Sequence, residues 1–206
     1  MTLVYNSMKF LRPILAVFIL IIIALGVLSC ESKYDRLVGR EMATGIKKDS
    51  LVFGLYFGDT RKEFFGKCWN LNKQGLVIQG PNNEFVQHIL EPSNMDSIKS
   101  PIQMLFYGIF DESNIMRGLN MRFSYPGSSI WNKNLTVEKL GYSIKDTLYN
   151  WYPGNKFLKL SIKGIDDVYV KVDGNRQILI YPKNDEELVV KIEDLDYKYT
   201  GIEKLK

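Results

Sequence analysis

Three kinds of side chain in this chain could do chemistry. They are one histidine, His88; two cysteines, Cys30 and Cys68; and carboxylates clustered at Asp166-Asp167, at Asp185-Glu186-Glu187, and at Asp194 with Asp196. A transition-metal site of the usual kind takes two or three imidazoles or thiolates, and a lone histidine in FVQHIL with no ligand near it does not supply them. A Ser-His-Asp or Cys-His unit assembles in space rather than in sequence, yet no G-x-S-x-G elbow frames a serine here. His88 therefore reads as an ordinary polar strand residue. Cys68 reads as packing beside Trp69, because nothing basic shares its helix face to lower its pKa. No Walker loop or G-x-G-x-x-G stretch is present. The expected catalytic, metal and cofactor sets are accordingly empty. Two carboxylates are enough for a glycosidase, so a carboxylate-dependent hydrolase stays among the readings, although the clusters fall at turns and chain ends where solvated charge is ordinary. Asp194 and Asp196 lack the oxygen-rich loop and glycine of a calcium site.

The aromatic residues offer a different chemistry. YPGSSIWNKN, residues 125–134, is a loop carrying Tyr125 and Trp131, and Trp151-Tyr152-Pro153-Gly154 closes the helix that follows. Exposed on loops, these four rings stack on sugars or anchor a protein partner. The competing reading is that they cap the core at the two ends of a helix, since large aromatics are mostly buried.

The elements that must position these groups alternate between helix and strand. LVFGLYF, residues 51–57, is a short apolar run that reads as a strand. Thr60-Arg61-Lys62-Glu63 is a T-x-x-E capping box opening a helix to about Gln74, with Phe64, Phe65, Cys68, Trp69 and Leu71 on its apolar side and Gly75 as the left-handed stop. Strands follow at residues 76–79 and 84–91, split by Gly80-Pro81-Asn82-Asn83, and at 102–110 and 115–125, split by Asp111-Glu112-Ser113-Asn114. Val137, Leu140, Ile144, Leu148 and Trp151 repeat at steps of three and four behind Thr136, which predicts a second helix ended by Pro153-Gly154. A meander closes the chain at 157–163, 168–172, 177–181 and 188–193, with Asp173-Gly174 as a hairpin signal. Val168, Val170 and Val172 alternate with Tyr169 and Lys171, placing the valines toward a core and the lysine face partly toward water. The expected class is α+β: two units of helix then antiparallel strands, residues 49–126 and 127–206, joined in one sheet or packed as two layers.

The placement of Cys30 follows from what precedes it. Lys9 and Arg12 form a basic flank, 14–28 is apolar apart from a glycine, and small residues gather near the end, the three-part layout of an export signal. A membrane span wants about 20 apolar residues, and no basic block follows. Val27-Leu28-Ser29-Cys30 resembles the lipobox of bacterial lipoproteins. That resemblance implies cleavage before Cys30, diacylglyceryl attachment to its sulfur and an acylated amino group, with palmitate among the chains. Two or more acyl chains hold firmly where one holds marginally. Residues 1–29 would be removed, 30–48 would form a polar lipidated tether, and 49–206 would be one globular domain.

Two further resemblances bear on the domain. FGDTRKEF looks like the strand, G-x-T-x-x-E and helix opening of small outer-membrane assembly lipoproteins and of inhibitor-like domains that join a short helical unit to an antiparallel sheet. The longer F-G-x-T-R-K-E-F-x-x-x-C-W-x-L-N-K-x-G-L stretch resembles envelope lipoproteins of anaerobic gut bacteria. Composition sets the remaining bounds. At 46% apolar and 13% aromatic the chain can fill a core. Taking the leader's two basic residues from a net charge of +4 leaves +2, which is no footprint for nucleic acid. With Cys30 lipidated, Cys68 has no disulfide partner. The expectation is a lipid-anchored binding or assembly module of the bacterial cell envelope, in the outer membrane, meeting the membrane through Cys30 and a protein or glycan through its domain. The alternatives are a glycan-binding accessory lipoprotein and the hydrolase.

Overall fold

The computed structural model of the protein describes residues 32–92, 99–126, 135–162 and 164–203, with backbone alone at 162, 165, 166 and 201–203. Cys30 and Trp131 lie outside the described residues. The chain divides into two units, one ending at Leu37 and one running from Val38 to Lys206. In the first, the Asp35 amide donates to Ser32 Oγ at 3.0 Å, capping the start of helix α1 (Lys33–Ala43). Among the described residues no helix is long and apolar enough to cross a membrane.

The second unit is an α+β domain built on one open antiparallel sheet. Its strands are β1 (Ile78–Gln79), β2 (Val86–Leu90), β3 (Ile102–Phe110), β4 (Met116–Ser124), β5 (Leu158–Ile162), β6 (Ile165–Asp173), β7 (Arg176–Pro182) and β8 (Leu188–Asp194). They lie in the order β1-β2-β3-β4-β8-β7-β6-β5. Helix α2 (Arg61–Lys73) precedes the first four strands and α3 (Val137–Trp151) the last four, so helix-then-four-strands occurs twice and the last strand of each set meets at the sheet's centre. The order explains the core. Met104, Phe106, Leu119, Met121 and Phe123 share a face with Leu188, Val190, Ile192, Ile178 and Ile180 by register, and Leu140, Ile144 and Leu148 of α3 are buried with them. Alternation on every strand delivers one face to the helices.

Both main helices begin as their sequences require. Thr60 and Thr136 sit in extended backbone and accept from the amides three residues on, Glu63 at 3.2 Å and Lys139 at 3.4 Å. In α2 the box closes reciprocally, since Glu63 Oε2 accepts from the Thr60 amide at 2.7 Å. Thr60→Ala removes one side of that exchange and is expected to cost about 1 kcal/mol, read as a lowered denaturation midpoint with an unchanged slope.

Four expectations need correction. The run at 51–57 is not a strand but a 3-10 turn at Val52–Gly54, because Phe53 and Gly54 both take left-handed backbone, φ 58° and 68°, and fold the Leu51 amide back onto the Leu55 carbonyl at 2.8 Å. The stretch read as tether joins the fold from Val38 onward: Val38 is buried, Glu41 accepts from the Gly174 amide at 3.2 Å, and the Lys48 amide donates to Asn175 at 2.6 Å. A last helix, α4 (Leu195–Glu203), follows β8, opened by the Asp196 amide donating to Asp194 Oδ1 at 3.1 Å.

The fourth correction concerns Lys171. Register places it with Ile178 on the helix-covered face, 0% exposed, while Val168, Val170 and Val172 are buried on the opposite face. Asp173, two residues on and on the same face, forms its ion pair. That carboxylate also accepts from the Asn155 amide at 2.7 Å, and Arg176 lies 3.9 Å away with its guanidinium 4.3 Å over the Tyr152 ring. The two-residue turn at Gly174-Asn175 is likewise held from outside, for the Ile46 carbonyl abuts Gly174 where a Cβ would stand.

Candidate functional site

The described aromatic residues of the expected platform do not form one. Tyr125 and Tyr152 are each 3% exposed, and Trp151 packs partly buried against the core, its ring 6.5 Å from that of Tyr152. Tyr125, just after β4, and Tyr152, just after α3, both belong to the buried core, with Trp151 packed against it, as large rings commonly are. A sugar-stacking face at Tyr125, Trp151 and Tyr152 is therefore not available.

Of the residues in the hydrolase and nucleophile readings, His88, Asp167, Glu187, Asp194 and Asp196 are each engaged locally. His88 donates from Nδ1 to the Leu76 carbonyl at 2.6 Å and lies edge-on to Phe53, ring centroids 5.0 Å apart. Asp194 accepts from Asn175 at 3.0 Å and Asp196 pairs with Lys47. Lys159, 2.6 Å from Asp167, holds that carboxyl below its usual range, so it stays ionised and is a poor proton donor near neutrality. Glu187 pairs with Lys183. Among the described residues no three His, Cys, Asp or Glu side chains gather in a way that could hold a metal ion.

A groove of about 1030 Å³ opens elsewhere, between α2 and the β1–β3 end of the sheet. Helical geometry builds its first wall. Phe64 and Cys68, four apart, are buried against the sheet, while Phe65 and Trp69, one residue further round, stand 58% and 62% exposed along its mouth. One step of a helix is about 100°, so two four-spaced apolar pairs cannot both face the core. Phe64 meets Phe65 and Phe110 edge-on at 5.5 and 5.6 Å, and Lys73 lies 5.5 Å over Trp69. Ile78, also exposed, continues the apolar lining.

The second wall is the end of β3. The β2 register covers only Ile102 to Phe106, stopping at the Val86–Phe106 pair. Asn82 and Asn83, at φ 58° and 59°, turn the preceding chain aside, which asparagine tolerates better than most residues. Tyr107 to Phe110 therefore line the groove with one edge uncovered. The groove also reaches round that edge to the opposite sheet face. There Phe85 lies edge-on to Tyr107 at 5.2 Å, and Asn120 donates to the Tyr107 hydroxyl at 2.6 Å, next to Lys191 by register. Arg61 stacks 4.6 Å over Phe110 and, among the described residues, has no ion-pair partner; Lys191 is paired with Glu193 at 2.8 Å.

The matching position in the second half shows what is particular to the first. Counted from the capping threonines, Leu140 and Ile144 stand where Phe64 and Cys68 do, but Gly141 and Lys145 replace Phe65 and Trp69. The groove there is about 320 Å³, with Lys145 4.1 Å over Tyr169 and the Lys159–Asp167 pair in its lining. Among the described residues, the apolar mouth belongs to the first half alone.

Cys68 faces the interior side of this groove. Burial pushes its thiol up to about 11, so at pH 8 only about one molecule in a thousand carries the thiolate that reacts. Alkylation by iodoacetamide at pH 8 is expected to be at least a hundredfold slower than for the denatured chain, followed by intact mass. The sign for stability is fixed by the same shift. A thiol whose folded pKa is raised favours the fold below its unfolded pKa, and that contribution is lost as pH climbs from about 9 to about 11.

No family model matches the chain, and no curated protein does. Among solved structures, a DUF4309 family protein (YjgB) from Bacillus subtilis subsp. subtilis is similar over 77% of this chain and 93% of its own, with 11% identity and a TM-score of 0.28. At that score the likeness bears on neither fold nor function.

Proposed function

We propose that this chain is a lipid-anchored binding module of the bacterial cell envelope, held at the outer membrane through Cys30, and that it presents the groove between α2 and β3 to an envelope protein. The observation that carries the binding role is the placement of Phe65 and Trp69, two large rings standing in water at the mouth of an apolar groove. Exposed apolar surface of this kind marks interaction sites, and tryptophan is enriched at their energetic centres. The rings of Phe64, Phe65, Trp69 and Phe85 make up much of the lining, and the uncovered end of β3 beside them offers backbone groups to another chain, which favours a protein partner over a glycan. The anchor rests on the Val27-Leu28-Ser29-Cys30 stretch and its apolar leader.

The test has two arms in one host. Radiolabelled palmitate is expected to mark the wild-type chain and not Cys30→Ala, which should leave the membrane fraction. Affinity purification of the wild-type chain from solubilised envelopes should recover a partner that Trp69→Glu does not. Retained label in Cys30→Ala contradicts the anchor; equal recovery by Trp69→Glu contradicts the groove.

A further inference from the structure

We propose that the groove takes an extended polypeptide strand, which adds to the open edge of β3 at Gly108 and Phe110 and brings an acidic group to Arg61. This rests on the reading of the groove as a binding face and specifies the form of its occupant.

Hydrogen-bond parity gives the first argument. The Gly80 amide donates to the Phe85 carbonyl at 2.8 Å, so Phe85, Gln87 and Ile89 turn their backbone groups toward β1, and Val86, His88 and Leu90 turn theirs toward β3. Their partners Phe106, Met104 and Ile102 point back at β2. Continuing the alternation, Gly108 directs its N–H and C=O to the same side, past the point where β2 stops. The far end agrees: the Asp111 amide donates to the Ile115 carbonyl at 2.9 Å, toward β4, so Phe110 points away from β4. Among the described residues no backbone hydrogen bond reaches Gly108 or Phe110 from the open side. Gly108 is buried on the groove floor, where an unpaired amide is costly and an arriving backbone would satisfy it.

Shape gives the second. The open edge spans four residues, about 13 Å of strand. A strand laid there sends alternate side chains to opposite faces of the sheet, and the groove has room on both. Phe64, Phe65 and Trp69 receive one set; Phe85, Tyr107 and Lys191 receive the other. A helix lying in the groove would use only the first set and leave the edge amides unpaired. Charge gives the third, since Arg61 at the Phe110 end is a cation without an acidic partner among the described residues. Strand addition gains affinity from the main chain and specificity from alternate side-chain pockets.

The experiment pans displayed random linear peptides on the full-length chain in detergent and counter-selects on Trp69→Glu. The selected peptide is then synthesised with single N-methyl groups walked along its backbone. Strand addition predicts a loss of about tenfold at every second amide and little change at those between, with slowed hydrogen exchange over residues 107–110 and weaker binding to Arg61→Gln. A Trp69-dependent peptide that tolerates N-methylation throughout, or leaves exchange at 107–110 unchanged, overturns strand addition while the groove stands as a binding face. Absence of any Trp69-dependent peptide overturns both.

Discussion

Replacing Asp173 with alanine is expected to cost about 3–5 kcal/mol of stability, because it strips the counterion from a lysine that water does not reach. Lys171 is wholly buried beneath the helix-covered face, and Asp173 is its ion-pair partner. Burial already pushes the Lys171 ammonium below its ordinary range, against the pull of that carboxylate. With the carboxylate gone, Arg176 remains nearby as a second cation, and the Asn155 amide loses its acceptor. The pH dependence distinguishes this cause from simple loss of packing. A lysine whose folded pKa is lowered costs least above its unfolded pKa and most below the folded one, so the variant's deficit should shrink as pH rises toward 10. Substituting both partners, Lys171→Met with Asp173→Leu, should recover a large part of the loss, since neither leaves a bare charge. Denaturant midpoints for Asp173→Ala and for the double variant, taken at several pH values, read this directly.

The second large effect falls on binding and spares folding. Trp69→Ala is expected to weaken association with the partner by about 2 kcal/mol, roughly thirtyfold, while its exposure keeps the change in stability within about 0.5 kcal/mol. The neighbouring stripe of the same helix should behave in the opposite way. Phe64 is 2% exposed in contact with Phe110, so Phe64→Ala should cost about 3–5 kcal/mol of stability. Calorimetric binding set beside a melting curve for each variant separates the two roles. A Trp69→Ala protein that melts early but binds normally would reverse the assignment of the two faces.

Local chemistry made much of the fold legible. Thr60 with Glu63, and Thr136 before its apolar repeat, announced both main helices at their first residue, because a capping interaction is complete within one turn. β3 and β4 were bounded by the turn at residues 111–114, and the hairpin at Gly174 by its glycine, for the same reason. What escaped depends on partners far along the chain. Glu41 is held by Gly174 and Lys48 by Asn175, contacts that no window around residues 30–48 contains. Lys171 alternates with valines as a water-facing residue would, and only its pairing with Asp173 beneath the helix-covered face accounts for its burial. Gly54 carried a local warning against a strand at 51–57, since it interrupts the apolar run where the chain reverses.

The site was hidden by a similar ambiguity. Five apolar residues of α2 fit one broad stripe on paper, and only the sheet beneath shows that Phe64 and Cys68 use it up. A second four-spaced pair beside a complete first one is the signal, and the second half sharpens it: its helix keeps Leu140 and Ile144 and carries Gly141 and Lys145 at the neighbouring positions. Tyr125, Trp151 and Tyr152 adjoin turns, yet adjacency to a turn does not fix which way a ring points, and all three pack in or against the core.

Photo-crosslinking tests the groove most directly. A benzophenone amino acid placed at Phe65 or at Trp69 in the full chain, illuminated in intact envelopes, should trap one discrete adduct of higher mass, and the same probe at Tyr142, equally exposed on α3, should trap none. Equal adducts at all three positions, or none at 65 and 69, would contradict the assignment of this groove as the binding face.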